Sequence, residues 1–185
     1  MLFRISTLIA FFFGSIVNAQ AQTPDKNFQC HQQKYQAYHQ ASNQWYQTLT
    51  QEAVNQQPNL TRSANAFLQQ HQQLSVLNEA AFAWLWENQP QNLALKQSVE
   101  GWLTLNQTQI KQFSRHSHPL THVAMPVYQS RQKSADKRQY ALRKQFANTF
   151  KSPFRLQSQL DAYNRIIAHI NAIDCEKIVK VNYGG

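Results

Sequence analysis

Three histidines fall within seven positions in the stretch Arg115-His116-Ser117-His118-Pro119-Leu120-Thr121-His122. Imidazole nitrogens suit Zn or Cu, and the H-x-H-x-x-x-H spacing gathers three of them in one short segment. Pro119 interrupts that segment, so His118 and His122 are not expected to sit one helical turn apart on a common face. Arg115 opposes a cation, and no carboxylate stands nearby in sequence to complete or orient a metal site. A periplasmic metal-binding or metal-sensing role, with Zn or Cu at His116, His118 and His122, is therefore the second reading. The first makes these histidines part of a positive surface, because imidazole gains charge as the pH falls through its ordinary value of about 6.5.

That positive surface is the strongest functional signal in the chain. Lys and Arg number 18 against 9 Asp and Glu. The excess is concentrated between positions 115 and 155, where Arg115, Arg131, Lys133, Lys137, Arg138, Arg143, Lys144, Lys151 and Arg155 face one carboxylate, Asp136. Such a block marks a surface for an anionic partner. Arg131, Lys133, Lys137, Arg138, Arg143 and Lys144 are the residues expected to make the contact, with an acidic protein or an envelope lipid surface. Nucleic acid is not expected, because the segment has no aromatic residues interleaved with its cations between Gln129 and Gln139.

Other chemistries have less support. Glu79, Glu87 and Glu100 are scattered, and nothing in the sequence pairs them. Ser114 and Ser117 flank His116, yet no G-x-S-x-G turn or acidic partner accompanies them. Neither cysteine lies in a C-x-x-C or C-x-x-C-H motif. No catalytic residue and no cofactor is assigned. His71 falls on an apolar stripe and reads as a core or boundary histidine, while His31 and His39 are too few to specify a site.

The compartment follows from the N-terminus. Arg4 precedes an apolar run from Ile5 to Val17, followed by Ala19-Gln20-Ala21. This order reads as a secretory signal peptide over residues 1–21, cut after Ala21 or, less favourably, after Ala19. A membrane span needs roughly 20 apolar residues, more than this run supplies, so no transmembrane segment is expected in the mature chain. Residues 22–185 then form a single helical domain, periplasmic or secreted. Cys30 and Cys175 are expected to be bonded in that oxidising setting.

The elements that must position these groups are helical. Prolines at 58, 90, 119, 126 and 153 punctuate long stretches with apolar residues three, four or seven apart. Phe28, Tyr35, Tyr38, Trp45 and Leu49 form one stripe; Leu60, Ala64, Phe67, His71, Leu74, Ala81 and Leu85 form a second. Leu95, Val99, Trp102, Ile110 and Phe113 predict a third long helix. Leu142, Phe146 and Phe150 follow the polar stretch 129–139, and Leu156, Leu160, Tyr163, Ile167 and Ile170 mark the last rod, with Ile166 and Ile173 widening its stripe. No alternating run suggests a strand. The pattern predicts an all-α bundle of four to five long amphipathic helices, mostly antiparallel, with a Pro/His-rich connector at 115–126. Five reversing rods would leave Cys30 and Cys175 at opposite ends. Their bond therefore predicts that the connector runs back along a helix as a crossover.

Overall fold

The computed structural model describes residues 25–133, 137–151 and 156–177, and the proposed leader, residues 1–21, lies outside them. The described chain is all-helical, without a strand. Its helices are α1 (Lys26–Gln56), α2 (Thr61–Asn88), α3 (Gln107–Phe113), α4 (Thr121–Gln132), α5 (Lys137–Lys151) and α6 (Gln157–Ala172), with single 3-10 turns at Pro58–Leu60, Pro90–Asn92 and Val99–Gly101.

Helix α1 begins at Asp25, whose carboxylate accepts the backbone N–H of Asn27. Such a cap satisfies one of the donors that a helix start leaves unpaired. Thirty-one residues give α1 a length of about 45 Å. Pro58 stops it, and α2 returns alongside. The ring pairs Phe28–Trp86, Tyr35–Phe82 and Tyr46–Phe67, at 5.5, 4.8 and 5.6 Å, run in opposite order along the two helices. Helix α6 is also antiparallel to α1: Trp45 stacks on Tyr163 at 5.8 Å, and Lys34 Nζ donates to the carbonyls of Asn171 and Ile173. A lysine there complements the negative end of the α6 dipole. Burial holds the Lys34 pKa below its ordinary value, with Asp174 opposing.

Cys30 and Cys175 form a disulfide with Cα atoms 5.6 Å apart, closing a separation of 145 residues. The expected pairing is correct, but the route is not the predicted one. Residues 115–126 are no crossover. Positions 114–120 fold into a compact turn, and 121–126 already belong to α4, with Pro126 inside the helix. Pro126 removes the N–H that would have bonded the carbonyl of His122 one turn earlier.

The third stripe explains the difference. Val99, Trp102, Ile110 and Phe113 are buried as expected, but residues 89–106 are not a long helix. Asn88 is the last residue of α2, and Pro90 opens a 3-10 turn. Asn106 and Gln109 form a reciprocal capping box that starts a separate, short α3. The intervening segment folds at the Cys30 end, where Trp102 lies 6.1 Å from Tyr35, its indole donates to the Gln97 carbonyl, and Asn171 Oδ1 accepts the Val99 N–H. Helix α4 then leads away from Trp84 toward Phe67, α5 crosses to α1, and α6 returns. Without a fifth full-length rod, both cysteines end at the same pole.

Apolar side chains form two clusters. Tyr35, Leu77, Phe82, Leu85, Trp102 and Ile110 anchor the larger one near the disulfide; Leu49, Ala53, Leu60, Leu142, Phe146 and Leu156 form the other under α5. Ile166 and Phe150, expected to join the apolar stripes, are 44% and 51% exposed.

Candidate anion-binding groove

The end of α4 and the first half of α5 close over one face of α2, leaving a groove. One part is a cavity of about 340 Å³, with Phe67, Leu74 and Val127 as apolar walls and Arg131, Lys133 and Arg143 as cations. An adjoining cavity of about 460 Å³ shares Gln70, Gln73, Ser130, Lys133 and Gln139 with the first and adds Arg62. Together they make a continuous slot in the size range of ligand clefts, about 300–1,000 Å³. No carboxylate lines either cavity among the described residues.

Each cation owes its place to a local reason. Arg131 lies in the last turn of α4, and the backbone N–H of Lys133 closes that turn on the carbonyl of Ser130. Arg143 is exposed beside Leu142, which is buried in the second apolar cluster and so fixes the rotation of α5. Gln145 and Thr149 are buried on the same helix, where Gln145 Nε2 donates to Gln56 Oε1 and the Thr149 hydroxyl donates to the Gln145 carbonyl. Arg131, Lys133 and Arg143 are all exposed, and no described carboxylate pairs with them. Like charges along a concave wall reinforce one another and focus the field into the slot.

His71 forms part of the groove floor. Its Nε2 shares a 3.3 Å hydrogen bond with the Ser42 hydroxyl of α1, and its ring lies 3.9 Å from that of Tyr46. Among the described residues Nδ1 has no hydrogen-bond partner, and the His71 side chain is half-buried. Burial lowers the His71 pKa. Deeper in the same interface, His39 packs edge-on against Tyr35 at 4.5 Å, and its Nε2 is buried without a hydrogen-bond partner. Burial, and then the neighbouring His71, push the His39 pKa down to about 4. Ser75 adds a polar link here by donating to Asn43 Oδ1.

The predicted contact residues do not all meet. Arg131, Lys133 and Arg143 converge on the groove. Lys144 is exposed on α5 but does not line it. Lys137 and Arg138 begin α5, and their side chains lie outside the described structure. Arg62 and His71 are groove residues that the charge pattern missed. Arg62 is the one Lys or Arg of α2, which also carries Glu79 and Glu87, and His71 shares the periodicity of a core stripe; only the packing of α4 and α5 on α2 singles them out.

The three clustered histidines shape a turn. His118 Nδ1 accepts the Leu120 N–H, and its ring packs 4.9 Å from Trp84 and 4.8 Å from Phe113. Burial lowers its pKa. The Thr121 hydroxyl donates to the carbonyls of Arg115 and His118, tying the turn to the start of α4. His116 and His122 are exposed. Among the described residues no group of three His, Cys, Asp or Glu side chains is close enough to hold a metal, so the structure does not bring His116, His118 and His122 together as a ligand set. No described helix is long and apolar enough to cross a membrane. No family model, curated protein or solved structure matches this chain.

Proposed function

We propose that this protein is an exported helical binding or adaptor protein whose groove between α2, α4 and α5 takes an acidic polypeptide segment. The observation that carries this reading is the convergence of Arg62 from α2, Arg131 and Lys133 from the end of α4, and Arg143 from α5 on a slot that no carboxylate lines among the described residues. The Cys30–Cys175 disulfide supports an oxidising compartment, periplasmic or secreted. In this reading the helices act as a mostly antiparallel bundle, a rigid frame that holds the cations before the partner arrives. Preorganisation reduces the ordering cost of association.

The shape favours a polypeptide over a membrane. A lipid surface is met by a flat or convex face, whereas these cations border a cleft. Its walls carry Gln70, Gln73 and Ser130, whose amides and hydroxyl both donate and accept, as a peptide backbone requires. Phe67, Leu74 and Val127 offer apolar area for side chains between the acidic ones. Attraction between opposite charges would set the encounter rate, and the apolar floor would add residence time.

Fluorescence anisotropy with a labelled hexa-aspartate peptide tests the reading. Arg131→Glu with Arg143→Glu is expected to weaken binding by at least about 100-fold, because it replaces attraction by repulsion at two positions that line the slot, and Lys144→Glu, off the groove, by less than about threefold, because a charge that makes no contact acts only through the screened field. Equal losses from the two changes, or binding to phosphatidylglycerol vesicles but not to the peptide, would overturn it.

A further inference from the structure

We infer that His71 is a ligand-contacting residue of the groove, meeting the bound anionic group through Nδ1, and that the site takes up a proton as it takes up that group. This rests on the groove being an anion site. Three geometric facts carry it. His71 lines the cavity that Arg131, Lys133 and Arg143 border. Its Nε2 is already engaged by the Ser42 hydroxyl, so the ring is held in place. Among the described residues its Nδ1 has no hydrogen-bond partner, and the side chain is half-buried.

The surroundings decide the direction of the effect. From α1 the groups facing His71 are Ser42, Tyr46 and, behind them, His39. Tyr38 of α1 and Tyr163 of α6 interact with the same Ser42 side chain. Helix α4 brings Arg131, with Lys133 just beyond its end, and α5 brings Arg143; none of these neighbours is a carboxylate. Burial therefore favours neutral imidazole at His71. A bound carboxylate reverses that balance. Protonated His71 donates from Nδ1 to the ligand and from Nε2 to Ser42, so both ring hydrogens are satisfied. Each pH unit by which the ligand raises the His71 pKa corresponds to about tenfold in linked affinity. Since the pKa rises on binding, the extra affinity is present at low pH and is lost as the pH climbs through the bound-state value. The groove would hold its partner more tightly in an acidified envelope and release it near neutrality.

Calorimetric titration with hexa-aspartate at pH 6 and pH 8, in two buffers of different ionisation enthalpy, reads both the affinity and the protons exchanged. Aspartate carboxylates stay ionised in this window, with ordinary pKa values of about 3.9. The wild-type chain is expected to bind at least about fivefold more tightly at pH 6 and to take up a fraction of a proton there. His71→Gln is expected to bind with little pH dependence and no proton uptake, while joint replacement of His116, His118 and His122 by Gln leaves the wild-type behaviour in place. A pH-dependent affinity that survives His71→Gln would overturn the inference. If the peptide fails to bind at all, the partner reading fails separately, and NMR titration of the His71 ring decides the inference. Sulfate at matched ionic strength should then raise the His71 pKa by about half a pH unit or more relative to chloride, and that of exposed His169 by much less. Equal responses of the two rings would overturn it.

Discussion

His39 offers a quantitative test of the α1–α2 interface. It is 4% exposed, its Nε2 has no partner, and burial with the adjacent His71 lowers its pKa to about 4. The unfolded chain binds this proton with a pKa of about 6.5, so between the two values the unfolded state carries more protons and stability falls with falling pH. Integrating over that window, His39 alone removes about 2.5 kcal/mol between pH 7.5 and pH 4.5, almost all of it below pH 6.5. Carboxylates add their own acid sensitivity, so the informative quantity is the difference between two chains. His39→Leu keeps similar volume and removes a buried polar atom that nothing satisfies, an exchange that can be nearly neutral or stabilising at pH 7.5. Urea unfolding of both chains at each pH should show the wild type losing about 2 kcal/mol more than the variant on acidification. Identical pH profiles, within about 0.5 kcal/mol, would refute the burial argument for this residue.

Two further outcomes test the frame. Replacing both cysteines, Cys30→Ser with Cys175→Ser, should destabilise the chain by up to about 5 kcal/mol through the freed loop entropy, measured by urea unfolding; a loss below about 1 kcal/mol would contradict a constraint of that span. Asn106→Ala removes one half of the capping box at α3 and should lower stability by about 1 kcal/mol, with faster amide exchange confined to 107–113; exchange that spreads back through 89–106 would instead indicate one continuous helix.

The helices that the sequence revealed most clearly are those whose packing follows from periodicity alone. Tyr35 and Leu49 on α1, Leu60 in the turn before α2, and Ala64, Ala81 and Leu85 on α2 are buried on the faces that their spacing predicted. Stripe periodicity failed between 89 and 106, because Val99 and Trp102 are buried by a folded segment that happens to bring apolar residues inward every few positions. Asn106 and Gln109 carried a legible capping signal there, and it outranks an apolar pattern across a proline. The disulfide was legible from the cysteine count, but the path between its ends depended on how many rods span the molecule. At the groove, the cluster of cations was visible and its target surface was not. Arg62 and His71 come from a helix of little charge, and tertiary packing alone sets them opposite Arg131 and Arg143. The histidine-rich turn looked like a ligand cluster by density, yet His118 is committed to the Leu120 N–H and to the aromatic wall of Trp84 and Phe113.

The most direct test of the groove is a residue-resolved map of where an acidic peptide binds. In a ¹⁵N NMR titration with hexa-aspartate at pH 6, the account predicts that the largest amide shifts fall on 67–74 of α2, 127–133 of α4 and 139–143 of α5, the segments that wall the slot. Shifts centred on the His116–His122 turn, or spread evenly over the exposed lysines and arginines with α2 unmoved, would contradict it.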